Sequence, residues 1–225
     1  GADLIDVGGE STRPGAETVE PGEEIARTAP VIRAISGNAP VSIDTRKSDV
    51  AQAAIGAGAA IVNDVSALGF DPDMARVVAE AGVPLVLMHA QGTPKTMQDA
   101  PSYDDVLLDV YEALDARIAF AGAAGIPRAR IMVDPGIGFG KTQKDNLELL
   151  SGLSLFHGLG CPILLGASRK RFIGTLTETP AAGDRVFGSV AVALAAIAQG
   201  VQMVRVHDML ATKQALTLWQ ASRGQ

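Results

Sequence analysis

The sequence contains a single cysteine, has no excess of basic residues and carries no long uninterrupted apolar run. One thiol excludes an internal disulfide and favours a reducing compartment, so we expect a cytoplasmic protein in which Cys161 is a small buried hydrophobe. The formal net charge of −6 argues against a general nucleic-acid or membrane-surface binder, because both need uncompensated lysine and arginine. The longest apolar stretch, 186–204, is rich in alanine and glycine and interrupted by polar residues, which makes it a poor membrane span.

No segment has the composition of a linker or of low-complexity sequence, and 47% of the 225 residues are hydrophobic. One large core is therefore possible, and we predict a single domain over residues 1–225. The stretch 186–204 would be a helix with small residues on most of its faces. It could pack on the core on one side and on a second copy of the chain on the other, giving a homodimer, or it could simply be a well-covered helix.

Seven short apolar runs have the composition of buried parallel strands. They cover residues 4–7, 41–44, 60–65, 85–89, 131–134, 163–168 and 203–207. Helical periodicity lies between them, at about 21–36, 48–57, 72–81, 104–124, 145–156, 184–199 and 209–222. In the first of these segments we expect Ile25, Ala29 and Ile32 to face the core and Glu23, Glu24 and Arg27 to lie largely on the opposite face.

This alternation predicts an α/β fold, a TIM (β/α)8 barrel built from right-handed βαβ units. Such a barrel needs eight strands and about 250 residues, whereas the sequence shows seven strands in 225 residues. We therefore expect that the first βα unit of the barrel is missing from this chain. An open seven-stranded sheet is the weaker alternative, because it would leave exposed edges.

The predicted strands end at polar residues able to take part in chemistry. They include Asp6, Asp44, Asn63, His89, Asp134, Ser168, Arg205 and His207. In α/β barrels such residues meet on one face, and buried carboxylates need partners, so we expect a ligand rich in N–H donors there. Asp64 is better explained as a cap of the following helix.

Three loops could bind an anion or cover a ligand. Residues 8–15 combine three glycines with Ser11, Thr12 and Arg13, which suits a phosphate but also an ordinary polar loop. The glycine-rich segment 136–142 fails the spacing of a Walker loop and of a dinucleotide loop, which leaves a ligand-covering loop or an inert turn.

The third group is cationic and stands out in an acidic protein. It consists of Ser168, Arg169, Lys170 and Arg171 at a strand end. Arg205 and His207 lie two residues apart, so in a strand they would point to the same side and could bind one anion together.

Taken in order, these segments resemble the dihydropteroate synthase family. The matching motifs are residues 6–16, 42–45, 63–65, 87–89, 134–141, 168–170 and 205–208. Each motif is weak alone, but an ordered set of seven is highly specific. The resemblance implies a (β/α)8 barrel that joins p-aminobenzoate to 6-hydroxymethyl-7,8-dihydropterin diphosphate in folate biosynthesis, releases pyrophosphate and is a target of sulfonamide drugs.

The resemblance also implies a set of site residues. The pterin would be held by Asp44, Asn63, Asp134 and Lys170, with Met88 and Arg205 against its faces. The diphosphate and p-aminobenzoate would be contacted by Thr12, Arg13, Ser168, Arg169, Arg205 and His207. Of these residues, Asp44, Lys170, Arg205 and His207 are the expected catalytic groups, and Mg²⁺ is the implied cofactor.

The chain departs from the family pattern in two respects. The family's N-terminal strand and its asparagine-containing loop, which helps to bind Mg²⁺, are not in the sequence, so we predict no metal ligands here and the chain could be inactive. Arg171 stands where many members have a serine that helps to bind the p-aminobenzoate carboxylate. A pterin-binding methyltransferase domain, a Schiff-base aldolase using Lys170 and a non-catalytic pterin-binding module are the alternative functions.

Overall fold

The computed structural model describes residues 1–13, 15–93, 96–97 and 99–223 of the chain. Pro14, in the predicted anion-binding loop 8–15, lies outside the described residues. Within these ranges, helices and strands alternate as the apolar runs and the helical periodicity predict, except that two α-helices separate the sixth strand from the seventh.

In the described part of the chain, seven short strands form the interior of the fold. They are β1 (Ile5–Gly8), β2 (Val41–Asp44), β3 (Ile61–Asp64), β4 (Leu85–Met88), β5 (Ile131–Asp134), β6 (Leu164–Leu165) and β7 (Met203–Val204). The central strands are mostly apolar because both of their faces are covered; all four residues of β4 are apolar and buried.

Eight α-helices among the described residues surround the strands. They are α1 (Pro21–Ile35), α2 (Ser48–Gly56), α3 (Met74–Ala81), α4 (Val106–Ala123), α5 (Gln143–Ser151), α6 (Arg171–Leu176), α7 (Val186–Ala198) and α8 (Met209–Ser222). Their apolar faces join the strands in one hydrophobic core that includes Ile32, Ile43, Leu87 and Phe156. Local signals fix some helix starts: Thr142 and Asp145 form a capping box at the start of α5.

All the strand pairs are parallel and follow the order of the chain. Strands β1 to β5 form one sheet and β6 pairs with β7, while a bridge between Val133 and Ile163 links the two groups. Among the described residues, β1 and β7 are not paired with each other. The Arg205 side chain spans this interval and reaches Asp6 on β1 and Asp44 on β2.

The structure corrects several details of the sequence prediction. The helix predicted over 145–156 ends at Ser151 and is followed by a separate 3₁₀ helix, Leu153–Leu159, with Gly152 between them. Helix α6 was not predicted, because six residues are too few to show a periodicity. Strand β7 ends at Val204, so Arg205 and His207 follow the strand instead of sharing one of its faces.

Two polar residues also differ from their predicted roles. Glu24, expected on the outer face of α1, is fully buried because it pairs with Lys47 and accepts a hydrogen bond from Thr45. Asp64 does not cap α3. Its carboxylate accepts hydrogen bonds from the backbone N–H groups of Ser66 and Leu68, so it holds the turn directly after β3.

Candidate active site

Four of the predicted pterin-binding residues lie at the carboxyl ends of neighbouring strands. They are Asp44 on β2, Asn63 on β3, Met88 on β4 and Asp134 on β5. The strand register places Asp44 beside Asn63 and Met88 beside Asp134. Asn63, Met88 and Asp134 are buried, and within the described ranges the Asn63 amide has no side-chain hydrogen bond. The structure therefore gathers an amide, a thioether and two carboxylates at one end of the sheet.

Asp134 is held in place by the turn that follows it. Its Oδ1 accepts a hydrogen bond of 2.7 Å from the backbone N–H of Gly136. Burial raises the pKa of Asp134 above the ordinary value, while the nearby charge of Lys170 and the bond from Gly136 oppose the rise. Gly136 has a φ of +70° and lies directly against the His89 carbonyl, where a Cβ would overlap the oxygen, so only glycine fits this turn.

Lys170 approaches Asp134 from the loop between β6 and α6. Its Nζ donates a hydrogen bond to the Ile137 carbonyl and lies 4.5 Å from the centre of the Phe139 ring. Burial lowers the pKa of Lys170 to about 8, although the charge of Asp134 acts in the opposite direction. The ammonium group thus lies between an aromatic ring and a carboxylate, a position from which it can donate to an acceptor on a flat ligand.

Arg205 connects the first two strands to the last. Its Nε donates to Asp6 at 2.6 Å and its Nη2 to Asp44 at 3.1 Å. Burial and the neighbouring Asp6 charge raise the pKa of Asp44 to about 7, even though Arg205 favours the ionised carboxylate. The role of Asp6 was not assigned from the sequence; the structure shows that it fixes Arg205 and accepts a 2.5 Å hydrogen bond from Ser42.

Ser168 and His207 contact each other beside this group. The Ser168 Oγ lies 3.0 Å from His207 Nδ1 and accepts a 3.2 Å hydrogen bond from the His207 backbone N–H. Burial lowers the pKa of His207, and the charges of Arg169, Arg205 and Arg13 lower it further. Neutral imidazole is therefore the favoured form at pH 7.

Arg169, like Arg205, is paired with a carboxylate of the protein. Its guanidinium makes two hydrogen bonds to Asp208, of 2.9 and 2.5 Å, and its backbone has a φ of +59°. The structure thus gives Arg169 a partner within the protein, at the rim of the group formed by Ser168 and His207.

Thr12 and Arg13 lie on the loop after β1. Thr12 lines a small cavity of about 50 Å³ together with Arg46, Val65, Ser66, Gly92, Met97 and Phe139. Arg13 is exposed and close enough to His207 for its charge to affect that residue. The loops after β1 to β5 therefore meet above the strand ends, and cations are available at the open side.

Sequence reasoning missed one interaction behind Asp134. The Nζ of Lys141, which is 2% exposed, lies 2.9 Å from His89 Nδ1 and donates to the carbonyl of Phe139 at 3.0 Å. Burial lowers the pKa of His89 to about 3 and that of Lys141 to about 7. Both residues belong to motifs noted in the sequence, but nothing in the sequence shows that they contact each other.

Two features are absent from the part of the chain that the structure describes. No group of three or more His, Cys, Asp or Glu side chains in that part of the chain could hold a metal ion. Asp6 and Asp44, the paired carboxylates of the site, both face Arg205, so these residues do not fit a magnesium site. In the same part of the chain, no helix has both the length and the hydropathy to cross a membrane.

Known proteins resemble this chain over nearly its whole length. The model of the family described as pterin binding enzyme matches residues 1–207. The dihydropteroate synthase of Neisseria meningitidis serogroup B is 47% identical over 226 residues, covering 98% of this chain and 79% of that protein. The dihydropteroate synthase of a Synechocystis species is 44% identical, covering 95% of this chain and 75% of that protein.

Solved structures agree with the sequence comparison. A Xanthomonas albilineans dihydropteroate synthase with 4-aminobenzoic acid has a TM-score of 0.94 and 48% identity, covering 99% of this chain and 80% of that one. The same enzyme with 7,8-dihydropteroate has a TM-score of 0.90 and 44% identity over the same shares of the two chains. A Yersinia pestis dihydropteroate synthase in a sulfonamide complex has a TM-score of 0.96 and 42% identity, covering 100% and 82%.

These likenesses confirm the predicted fold class, an α/β structure of the TIM-barrel type. The chain belongs to the pterin-binding enzymes and, among them, to the dihydropteroate synthase family.

Proposed function

We propose that this chain carries out the dihydropteroate synthase reaction, in which p-aminobenzoate is joined to 6-hydroxymethyl-7,8-dihydropterin diphosphate. The observation that carries the proposal is the group formed by Asp134, Asn63 and Lys170 at the strand ends, with Arg205 beside it. Related structures with 4-aminobenzoic acid and with 7,8-dihydropteroate support it. The same reasoning makes the protein a candidate target of sulfonamides, one of which is bound in the Yersinia relative.

The pterin ring matches the chemistry of these residues. Its 2-amino and ring N–H groups form a donor edge that the Asp134 carboxylate can accept, and its 4-oxo group can accept a hydrogen bond from Lys170. Asn63 offers both a donor and an acceptor. Met88 and Arg205 would lie against the two faces of the ring, which suits a polarisable thioether and a planar guanidinium.

The reaction exchanges one bond at the pterin methylene carbon. A C–N bond forms to the arylamine nitrogen, the C–O bond breaks, pyrophosphate leaves with the electron pair, and the amine gives up one proton to solvent. Arg13 and Arg205 would stabilise the negative charge that develops on the leaving group, and neutral His207 could donate a hydrogen bond to it. Ionised Asp44 would stabilise positive charge on the electron-rich pterin as the C–O bond loosens.

Asp44 gives this site a pH dependence with a defined sign. The folded-state pKa of Asp44 is raised to about 7, so its protonated form favours the fold, and this contribution falls as the pH rises from about 4 through 7. A positively charged reacting group is stabilised by the ionised form of Asp44. Positive charge that develops beside Asp44 therefore favours an ionisation that burial makes unfavourable in the ligand-free protein. Magnesium stays a prediction from the family resemblance.

A pyrophosphate-release assay with both substrates tests the proposed function. We expect release that depends on p-aminobenzoate, and formation of 7,8-dihydropteroate in the same amount. A matched sample without p-aminobenzoate separates this reaction from simple hydrolysis. Pterin binding without pyrophosphate release would instead identify a non-catalytic pterin-binding protein.

A homodimer and a cytoplasmic location are further parts of the proposal. Helices α7 and α8 leave large apolar side chains at the surface: Phe187 is 85% exposed and Leu210 66% exposed. Exposed aromatic and aliphatic groups of this size are typical of a covered interface. Sedimentation should therefore give a dimer for the wild type and a monomer for Phe187→Glu combined with Leu210→Glu; a wild-type monomer would disprove the interface.

A further inference from the structure

Four charged side chains lie buried beneath the loop that follows β1. Lys47 donates to Glu10 at 2.7 Å and to Glu24 at 2.5 Å, and Arg46 donates to Glu10 at 2.5 Å. The side chains are at most 10% exposed, and the Glu24 side chain is 0% exposed. Two positive charges thus face two negative charges, and neither Arg46 nor Lys47 is left to balance the charge of a substrate.

Glu10 is the residue that connects this group to the loop. Besides its two ion pairs, its Oε2 accepts a 2.8 Å hydrogen bond from the backbone N–H of Val19. Residues 10 and 19 are the two ends of the segment that carries Thr12 and Arg13. A single carboxylate therefore closes the base of this segment and fastens it to the residues that follow β2.

The same region is packed too closely to shift freely. A Cβ on Gly9 would lie 2.8 Å from Glu24 Cγ, so the backbone before Glu10 rests directly on α1. Burial raises the pKa of Glu10, but hydrogen bonds from Lys47, Arg46 and Val19 outweigh that effect and lower it below the ordinary value. The carboxylate is accordingly ionised at neutral pH and keeps all three partners.

We propose that Glu10 is a positioning residue, which fixes the loop bearing Thr12 and Arg13 so that these side chains meet the diphosphate of the pterin substrate. This inference rests on the proposed function. Glu10 itself is 5% exposed and its carboxylate is directed at Arg46, Lys47 and Val19, so it acts through the loop and not on the substrate. Ordering of the loop before binding lowers the entropic cost of capturing the leaving group.

The test compares two ligands that differ only in the diphosphate. Affinities for 6-hydroxymethyl-7,8-dihydropterin diphosphate and for the alcohol that lacks the diphosphate are measured by calorimetry on the wild type, Glu10→Gln and Glu10→Asp. We expect Glu10→Gln to weaken the diphosphate ligand about tenfold and to leave the alcohol unchanged, because the alcohol contacts only the strand ends. Glu10→Asp keeps the charge on a shorter side chain, so its affinity for the diphosphate ligand should lie between those of the wild type and Glu10→Gln.

Amide exchange provides a readout that does not involve a substrate. The Val19 N–H should exchange faster in Glu10→Gln than in the wild type, and segment 10–19 should lose protection as a unit. Glu80→Gln is the matched control, since Glu80 forms an exposed ion pair with Arg76 on α3, and neither readout should change. If Glu10→Gln does not fold, Arg46→Met removes one partner of Glu10 and should show the same selectivity, with a smaller effect.

Two results would overturn the inference. One is an equal loss of affinity for both ligands, which would mean general destabilisation; the other is unchanged Val19 exchange. If the wild type binds the two ligands equally, the proposed diphosphate site is wrong, whereas the exchange measurement still decides whether Glu10 orders the loop. The failure of the function and the failure of this inference are therefore distinguishable.

Discussion

Replacing Asp134 by asparagine is expected to weaken binding of the pterin substrate roughly tenfold to a hundredfold, because a hydrogen bond to a charged group contributes about 1.5–3 kcal/mol. Asparagine keeps the oxygen that accepts from the Gly136 N–H, so the turn after β5 should persist. The NH₂ group of asparagine, however, would place a donor against the donor edge of the pterin. The substitution also removes the negative charge near Lys170. Calorimetry with the pterin diphosphate measures the change.

The thermal stability of Asp134→Asn should not fall together with its pterin affinity, and this distinguishes the loss of binding from misfolding. Burial raises the folded-state pKa of Asp134, so the residue contributes less to stability as the pH rises from its ordinary value through the raised one. At neutral pH, Asp134→Asn should therefore unfold at the same temperature as the wild type or at a higher one. Asp115→Asn, an exposed change on α4, is the control. Unchanged pterin affinity in Asp134→Asn would refute the assignment.

The fold was largely predictable because its signals are local. The run 85–88 is apolar along its whole length, the run 131–134 is apolar up to its last residue, and the helical periodicity between such runs leaves few alternative folds. Helix α6 was missed because it is only six residues long. Glu24 was misplaced on the outer face of α1, because its buried position depends on Lys47, 23 residues away in the sequence.

The site was predictable only in part, for a similar reason. The ends of β2 to β5 mark Asp44, Asn63, Met88 and Asp134, and a parallel sheet brings such ends together without further information. The sequence does not show which cations are free to meet a ligand. Arg169 has Asp208 as its partner, which only a tertiary structure reveals. The interaction of Lys141 with His89, 52 residues apart, is of the same kind.

Of Lys141 and His89, Lys141 is the residue whose substitution should lower pterin affinity more. The lowered pKa of His89 leaves its ring neutral, so Nδ1 can accept a hydrogen bond from the Lys141 ammonium. The same Nζ donates to the Phe139 carbonyl and thereby fixes the loop whose aromatic ring lies beside Lys170. We expect Lys141→Met to lower pterin affinity about tenfold, since two or more hydrogen bonds of about 1 kcal/mol each are lost near the binding group.

The pH dependence of stability gives a second, independent test of Lys141. Burial lowers its folded-state pKa to about 7, below the ordinary 10.5, so the unfolded chain binds more protons between these values. The free energy of unfolding of the wild type should therefore rise, relative to Lys141→Met, by up to about 1.4 kcal/mol per pH unit from pH 7 towards 10. Denaturant titrations at several pH values measure this difference, and Lys144→Met, an exposed change on α5, should show none.

Parallel curves for the wild type and Lys141→Met would show that the lysine is not buried as the structure places it. If the stability difference between the wild type and Lys141→Met rises with pH but pterin affinity is unchanged, Lys141 contributes to stability and not to binding. The loop that carries Phe139 would then be ordered by its other contacts, among them the hydrogen bond that the Asn146 side chain accepts from the Gly138 N–H.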